Sequence, residues 1–206
     1  VLDRAFTIEL SDVDFLKYEI TGGKDKSHLS DGQKQTLIDA FTRFDVSTGT
    51  RQFAQIRKDE IAEIIEQEPD IRTYLHSLNK LLQNHRFHFG YRIFDEIAQY
   101  LYNNRRNGMM DFIPAFDHAV FMKVLPKFSG SRARLRAPLL SLLAWTLYPA
   151  NPEPALKSVQ QSFTTLDLAD VTAITDFTCD ASFKVVATRA MQMLVTLEND
   201  GFVSFG

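Results

Sequence analysis

One cysteine, seven prolines and nine glycines in 206 residues are too few for a disulfide scaffold, a collagen-like repeat or a low-complexity chain. Cys179 has no partner for an intramolecular disulfide, and no stretch reads as a secretory signal, so a reducing cytoplasm is the expected compartment. The thiol is expected to be a small buried hydrophobe and not a nucleophile. Long apolar runs are missing as well. The longest, residues 137–148, contains Pro138, Ser141 and Thr146 and falls short of the roughly 20 residues that a membrane helix needs. An excess of positive charge is also absent: 23 Lys and Arg against 26 Asp and Glu leave a net charge of −3. That balance argues against the whole chain coating nucleic acid, because phosphate affinity comes mainly from Lys and Arg.

What remains is the composition of an ordinary globular protein, long enough for one sizeable core. The chain begins Val1-Leu2-Asp3-Arg4 without Met and runs straight into an alternating pattern, which we read as a cut inside a longer chain. In residues 6–10, Phe6, Ile8 and Leu10 share one face, the period of a half-buried strand. Gly22-Gly23-Lys24 reads as a linker, so residues 1–22 form one unit and a helical unit follows over residues 23–150. Within it, Ser30-Asp31-Gly32-Gln33 fits a capping box that starts a helix to about Phe44.

Apolar stripes predict helices over residues 58–67, from Asp70 through Leu82, over residues 91–102, 115–125 and 135–147. Pro149, Pro152 and Pro154 close that unit, and residues 151–206 form a C-terminal extension. There residues 159–178 show no clean period and are expected to be mixed or irregular. Asp180 or Ser182 caps a terminal helix that stops at Asn199-Asp200-Gly201, before a short extended segment. The expected fold is therefore mainly α, a helical bundle with a short strand at its N-terminal end and a short extended tail.

Chemistry-bearing motifs are sparse. There is no Gly-rich phosphate loop ending in Lys-Ser/Thr and no apolar strand ending in paired acids, so the chain alone should not hydrolyse nucleotide. His76, His85 and His88 lack the spacing of a metal site, and no metal is expected. Asp95 and Glu96 are adjacent on a helix and point apart, as one solvated and one pairing carboxylate would. A local basic patch is formed by Lys123, Lys127, Arg132, Arg134 and Arg136 around Gly130, with Phe128 among them. It reads as a solvated helix start, or as a contact for nucleotide phosphate, nucleic acid or an acidic partner. Arg134 and Arg136 cannot lie on one helical face, which speaks against a continuous phosphate-tracking stripe.

Several phrases resemble the McrB-like AAA+ ATPases and GTPases of modification-dependent restriction systems. Residues 1–10 look like the last stretch of the large AAA+ subdomain. Phe89-Gly90-Tyr91-Arg92-Ile93-Phe94-Asp95-Glu96-Ile97 resembles the lid helix that carries the sensor-two residue. Residues 121–132, with Leu125-Pro126-Lys127-Phe128-Ser129-Gly130-Ser131, and residues 184–205, ending in Gly201-Phe202-Val203-Ser204-Phe205, resemble segments of the branch with an extended lid. The resemblance implies a helical lid and C-terminal extension of a motor whose Mg²⁺ and ATP or GTP are held mostly by its own N-terminal AAA+ core. It implies Arg4 as an arginine finger toward a neighbouring ring subunit, Arg92 as sensor two, and Gly90 and Tyr91 beside the nucleotide. It also implies coupling to an McrC-like nuclease subunit, and to DNA through that complex, without any membrane. Members similar to McrB itself carry Gly-His-Ser in the lid helix, a pattern from which Gly90-Tyr91-Arg92 departs. A helical nucleic-acid-binding module using residues 123–136, or an assembly scaffold, are the alternative readings.

Overall fold

The computed structural model describes residues 14–18, 30, 32, 43–45, 50–52, 58–165 and 179–205. Arg4, the expected strand over residues 6–10 and the Gly22-Gly23 linker lie outside them.

Helix α1 (Lys58–Gln67) opens with Asp59 and Glu60 in its first turn, where carboxylates complement the exposed amide end, and buries Ile61, Ile64 and Ile65. Pro69 sets the start of α2 (Asp70–Gln83), whose stripe of Ile71, Leu75, Leu78, Leu81 and Leu82 is buried. Helix α3 (Tyr91–Arg106) follows, with Phe94, Ile97, Ala98 and Leu101 inward. Next come α4 (Phe112–Lys123), a 3₁₀ turn at Leu125–Lys127 and α5 (Arg132–Leu147). Helices α6 (Glu153–Thr165) and α7 (Lys184–Asp200) follow.

Helix α5 is the axis of the bundle. From Pro138 to Thr146 every residue is buried, so the helix is apolar all round, as a central helix must be. Helices α2, α6 and α7 pack against it, while α3 lies between α1 and α4. Trp145 of α5 stacks on Phe183 with ring centroids 4.7 Å apart and donates its indole N–H to the Tyr74 carbonyl at 3.0 Å. One hydrophobic cluster runs from Phe15 to Val203, so the segments on either side of residue 150 share a core. Among the described residues, no helix is long and apolar enough to cross a membrane.

Two short antiparallel pairs accompany the helices: β1 (Arg43–Asp45) with β2 (Thr50–Gln52), and β3 (Gly130–Ser131) with β4 (Phe202–Val203). In the second pair Gly201 ends α7 in the left-handed region, φ 73°, which suits a residue without Cβ. The turn delivers Phe202 and Val203 to the loop before α5, where the Arg132 amide also donates to the Gly201 carbonyl at 2.9 Å.

The mainly α architecture is the one the sequence predicts, with local corrections. Phe44 lies in a strand, so the helix expected to reach it does not. The first seven residues of the stretch expected to be irregular, 159–165, are the end of helix α6, with Pro154 accommodated in its first turn where no amide donor is needed, and residues 166–178 lie outside the described residues. Helix α3 runs four residues past Tyr102, to Arg106. Helices α4 and α5 each begin three residues before their first predicted position, at Phe112 and Arg132. Cys179 is exposed, not buried. Neither Asp180 nor Ser182 caps α7; its first residue is Lys184, and the capping carboxylate comes from Asp117 of α4, whose two oxygens accept from the amides of Val185 and Val186 at 2.7 and 2.9 Å.

Candidate functional site

The start of α3 is built from the loop that leaves α2. The Phe87 amide donates to the Leu82 carbonyl at 3.1 Å and the Arg86 amide to the Gln83 carbonyl at 3.0 Å, a closure that places Arg86 in the left-handed region, φ 60°. Phe87 and Phe89 then turn inward, and the Phe89 amide donates at 2.7 Å to the side chain of Asn79, itself buried on α2. Gly90 precedes the helix in extended conformation, with open space where a Cβ would stand.

Residues 14–18 dock against this helix start. Phe15 is completely buried, its ring 5.6 Å from Phe89, 6.0 Å from Tyr91 and 5.1 Å from Phe94. Tyr18 stacks on Tyr91 at 4.5 Å and donates its hydroxyl to Asp95 at 3.0 Å. Lys58 donates to both the Tyr18 hydroxyl and Asp95. Arg72 donates to the carbonyls of Phe15 and Tyr18, both at 2.8 Å. Asp95 is thus a buried pairing group and not a solvated one. Burial pulls the Lys58 ammonium down, but its bonds to Asp95 and Tyr18 outweigh that and hold it above its ordinary value. The clasp therefore contributes fully below the ordinary lysine range and is lost as strong alkali deprotonates Lys58.

Arg92 projects from the first turn of α3 with its side chain 86% exposed; it meets Glu96 of the next turn at 2.9 Å. The other Glu96 oxygen receives Lys123 of α4, also at 2.9 Å. Hydrogen bonds from Lys123 and Arg92 hold the Glu96 carboxyl below its ordinary value in spite of partial burial. A lowered carboxylate stabilises the fold above its unfolded value and loses that contribution as pH falls through its folded one. Wild type should therefore lose more stability than Glu96→Gln below about pH 4.5. Solvent screening keeps the difference under about 1 kcal/mol. Paired thermal melts from pH 6 to about pH 3 check this, and identical pH profiles would contradict it.

The five cations of the basic patch do not form one stripe. Arg132 and Arg136, one turn apart on α5, both meet Glu198 of α7, at 2.5 and 2.9 Å. Lys123 belongs to Glu96. Lys127 lies over the Phe89 ring at 5.6 Å, and Arg134, facing away from Arg136, lies over Phe87 at 5.3 Å. Gly90, Tyr91 and Arg92 are together at the α3 start, next to Phe89, over whose ring Lys127 lies. His85 meets the Ser141 hydroxyl at 3.2 Å and His76 approaches Asp14 at 3.6 Å. Among the described residues no three His, Cys, Asp or Glu side chains gather as metal ligands.

Sequence reasoning did not find the docking of Phe15 and Tyr18, the unusual backbone of Arg86, or the two glutamates that divide the basic patch.

Residues 38–202 match the family described as "Domain of unknown function (DUF8727)", and the chain belongs to it. No curated protein and no solved structure matches the chain.

Proposed function

We propose that this chain is the C-terminal lid and extension of an AAA+ NTPase motor subunit of McrB type, which couples ATP or GTP hydrolysis to a restriction-type nuclease partner and is not catalytic alone. The observation that carries the reading is Arg92: an arginine in the first turn of a lid-like helix, solvent-facing and restrained, among the described residues, by one carboxylate on the next turn. Such a guanidinium is free to swing onto phosphate oxygens. Glu96 would not be orphaned when Arg92 leaves, because Lys123 stays on its second oxygen.

The chain's residues fit the lid's share of a nucleotide site and not the whole of it. Arg92 supplies a planar cation that can bind two oxygens, beside the open space at Gly90. Mg²⁺, held in the preceding domain, would neutralise phosphate charge. The docked segment 14–18 supports the same reading, because it ties the chain preceding the helical unit to the helix that bears Arg92. Movement of one is then felt by the other through Tyr18, Asp95, Lys58 and Arg72.

On this reading the 206-residue chain turns over neither MgATP nor MgGTP above the buffer rate, whereas the longer protein, with its N-terminal region, hydrolyses at least one of them. A phosphate-release assay on both decides it. Hydrolysis by the chain alone, or a longer protein lacking a phosphate-binding loop, would sink the proposal.

A further inference from the structure

The acidic residues of this chain are unevenly placed. None occurs between Asp70 and Asp95, and none between Asp117 and Glu153, although acids outnumber bases overall. The two acid-free stretches meet in the fold. Phe87 of the first stacks on Phe128 of the second at 4.9 Å, Arg134 lies over Phe87, and Lys127 lies over Phe89. Arg86 stands beside them on the same loop. Arg86, Lys127 and Arg134 are all exposed, and among the described residues none of the three meets a carboxylate, in contrast to Lys123, Arg132 and Arg136.

We propose that the loop at residues 86–89 and the turn at residues 127–134 together form a nucleic-acid surface, gripping the phosphate backbone through Arg86, Lys127 and Arg134. The cations are placed for it. Phe87 and Phe89 are two residues apart and each ring carries its own cation, so the positive charge is spread along the line of the loop and not stacked on one point. A repeating polyphosphate matches such a line. A bilayer does not, because the two rings beneath the cations are buried and no longer available to enter lipid. Contacts of this kind position a backbone and carry no base preference.

Arg86 adds an independent observation. It occupies the left-handed position after a helix, where Gly is the relaxed choice. An arginine held there at a conformational cost is a signal of a task performed by its side chain. The surface is separate from the motor reading: it uses neither Arg92 nor nucleotide, and it stands if that reading fails.

The test is fluorescence anisotropy of the whole chain with a labelled 20-base-pair duplex between 50 and 200 mM salt. Wild type should bind with log Kd rising against log salt with a slope of about 3, one unit for each phosphate neutralised. Arg86→Gly should weaken binding several-fold and lower the slope by about one, while its unfolding temperature equals or exceeds that of wild type. Lys127→Ala with Arg134→Ala should remove most of the remaining affinity, and Arg132→Ala, whose arginine is engaged by Glu198, should stay within about twofold of wild type. The proposal is overturned if wild type shows no salt-dependent binding, or if Arg86→Gly binds duplex as wild type does. It is equally overturned if the variants keep duplex binding but lose binding to phosphatidylserine vesicles or to ATP and GTP.

Discussion

On the proposed reading of this chain as the lid of an NTPase motor, Arg92→Ala in the motor is expected to lower NTP turnover by at least about tenfold while changing the unfolding temperature by no more than about 4 °C. The two numbers come from different physics. A guanidinium delivered to phosphoryl transfer acts where charge develops and can be worth roughly 10³ to 10⁵ in rate when it serves as a full finger, so a weaker sensing role should still be visible. The fold stands to lose much less. The Arg92 side chain is 86% exposed and, among the described residues, pairs with Glu96, and an exposed i,i+4 ion pair contributes about 0 to 1 kcal/mol. Glu96 also keeps Lys123, so removing Arg92 leaves no carboxylate unpaired. Arg92→Lys should recover part of the rate, since it restores the charge but not the planar fork. Steady-state turnover with a melting curve on the same samples separates the outcomes. Turnover within about twofold of wild type would make Arg92 an ordinary surface residue and remove the main support for the lid reading.

How much of this was legible depends on the range of the interaction. Ile61, Ile64 and Ile65, or Leu75, Leu78 and Leu82, announce a buried helical face because the period of the helix is written in adjacent residues. The same logic is weaker over Glu153–Thr165, where Gln160, Gln161 and Ser162 dilute the stripe of Ala155, Val159 and Phe163 that is buried. Phe15 announces no stripe among its neighbours, and its burial is decided by Phe89, Tyr91 and Phe94, more than seventy residues away. Partner choice within the basic patch was similarly hidden. The spacing of Arg134 and Arg136 shows that they face apart, but nothing near them shows that Glu198 takes one and the Phe87 ring the other. Arg4 and the expected N-terminal strand fall outside the described residues.

The hidden long-range contact with the largest expected consequence is Asp117. Replacing it with Ala should destabilise the protein by about 2 to 4 kcal/mol, because it leaves two amides at the start of α7 without an acceptor in a site that is nearly closed to water. Loss of an ordinary exposed cap costs about 1 kcal/mol, and each orphaned buried donor about 1 to 3. The local sequence offers no rescue, since the residue in the cap position is Phe183, whose side chain stacks on Trp145 and carries no acceptor. Asp117→Asn should cost less, roughly 1 to 2 kcal/mol, because one oxygen still accepts while the amide nitrogen faces the second N–H. Burial raises the Asp117 carboxyl above its ordinary value, more than the bonds from Val186 and Val185 and the charge of His118 lower it. A raised folded value means that the native state holds a proton the unfolded chain has released, so this group's contribution is largest below its unfolded value and declines as pH rises through the folded one. The stability advantage of wild type over Asp117→Asn should therefore grow as pH is lowered from neutral toward about 4. Denaturant melts of the three proteins at pH 7 and about pH 4 measure both effects. If Asp117→Ala stays within about 0.5 kcal/mol of wild type, α7 does not depend on a cap from α4, and its position is held by its buried face, including Val186, Ala190, Met193, Leu194 and Leu197, and by the Glu198 pairs with α5.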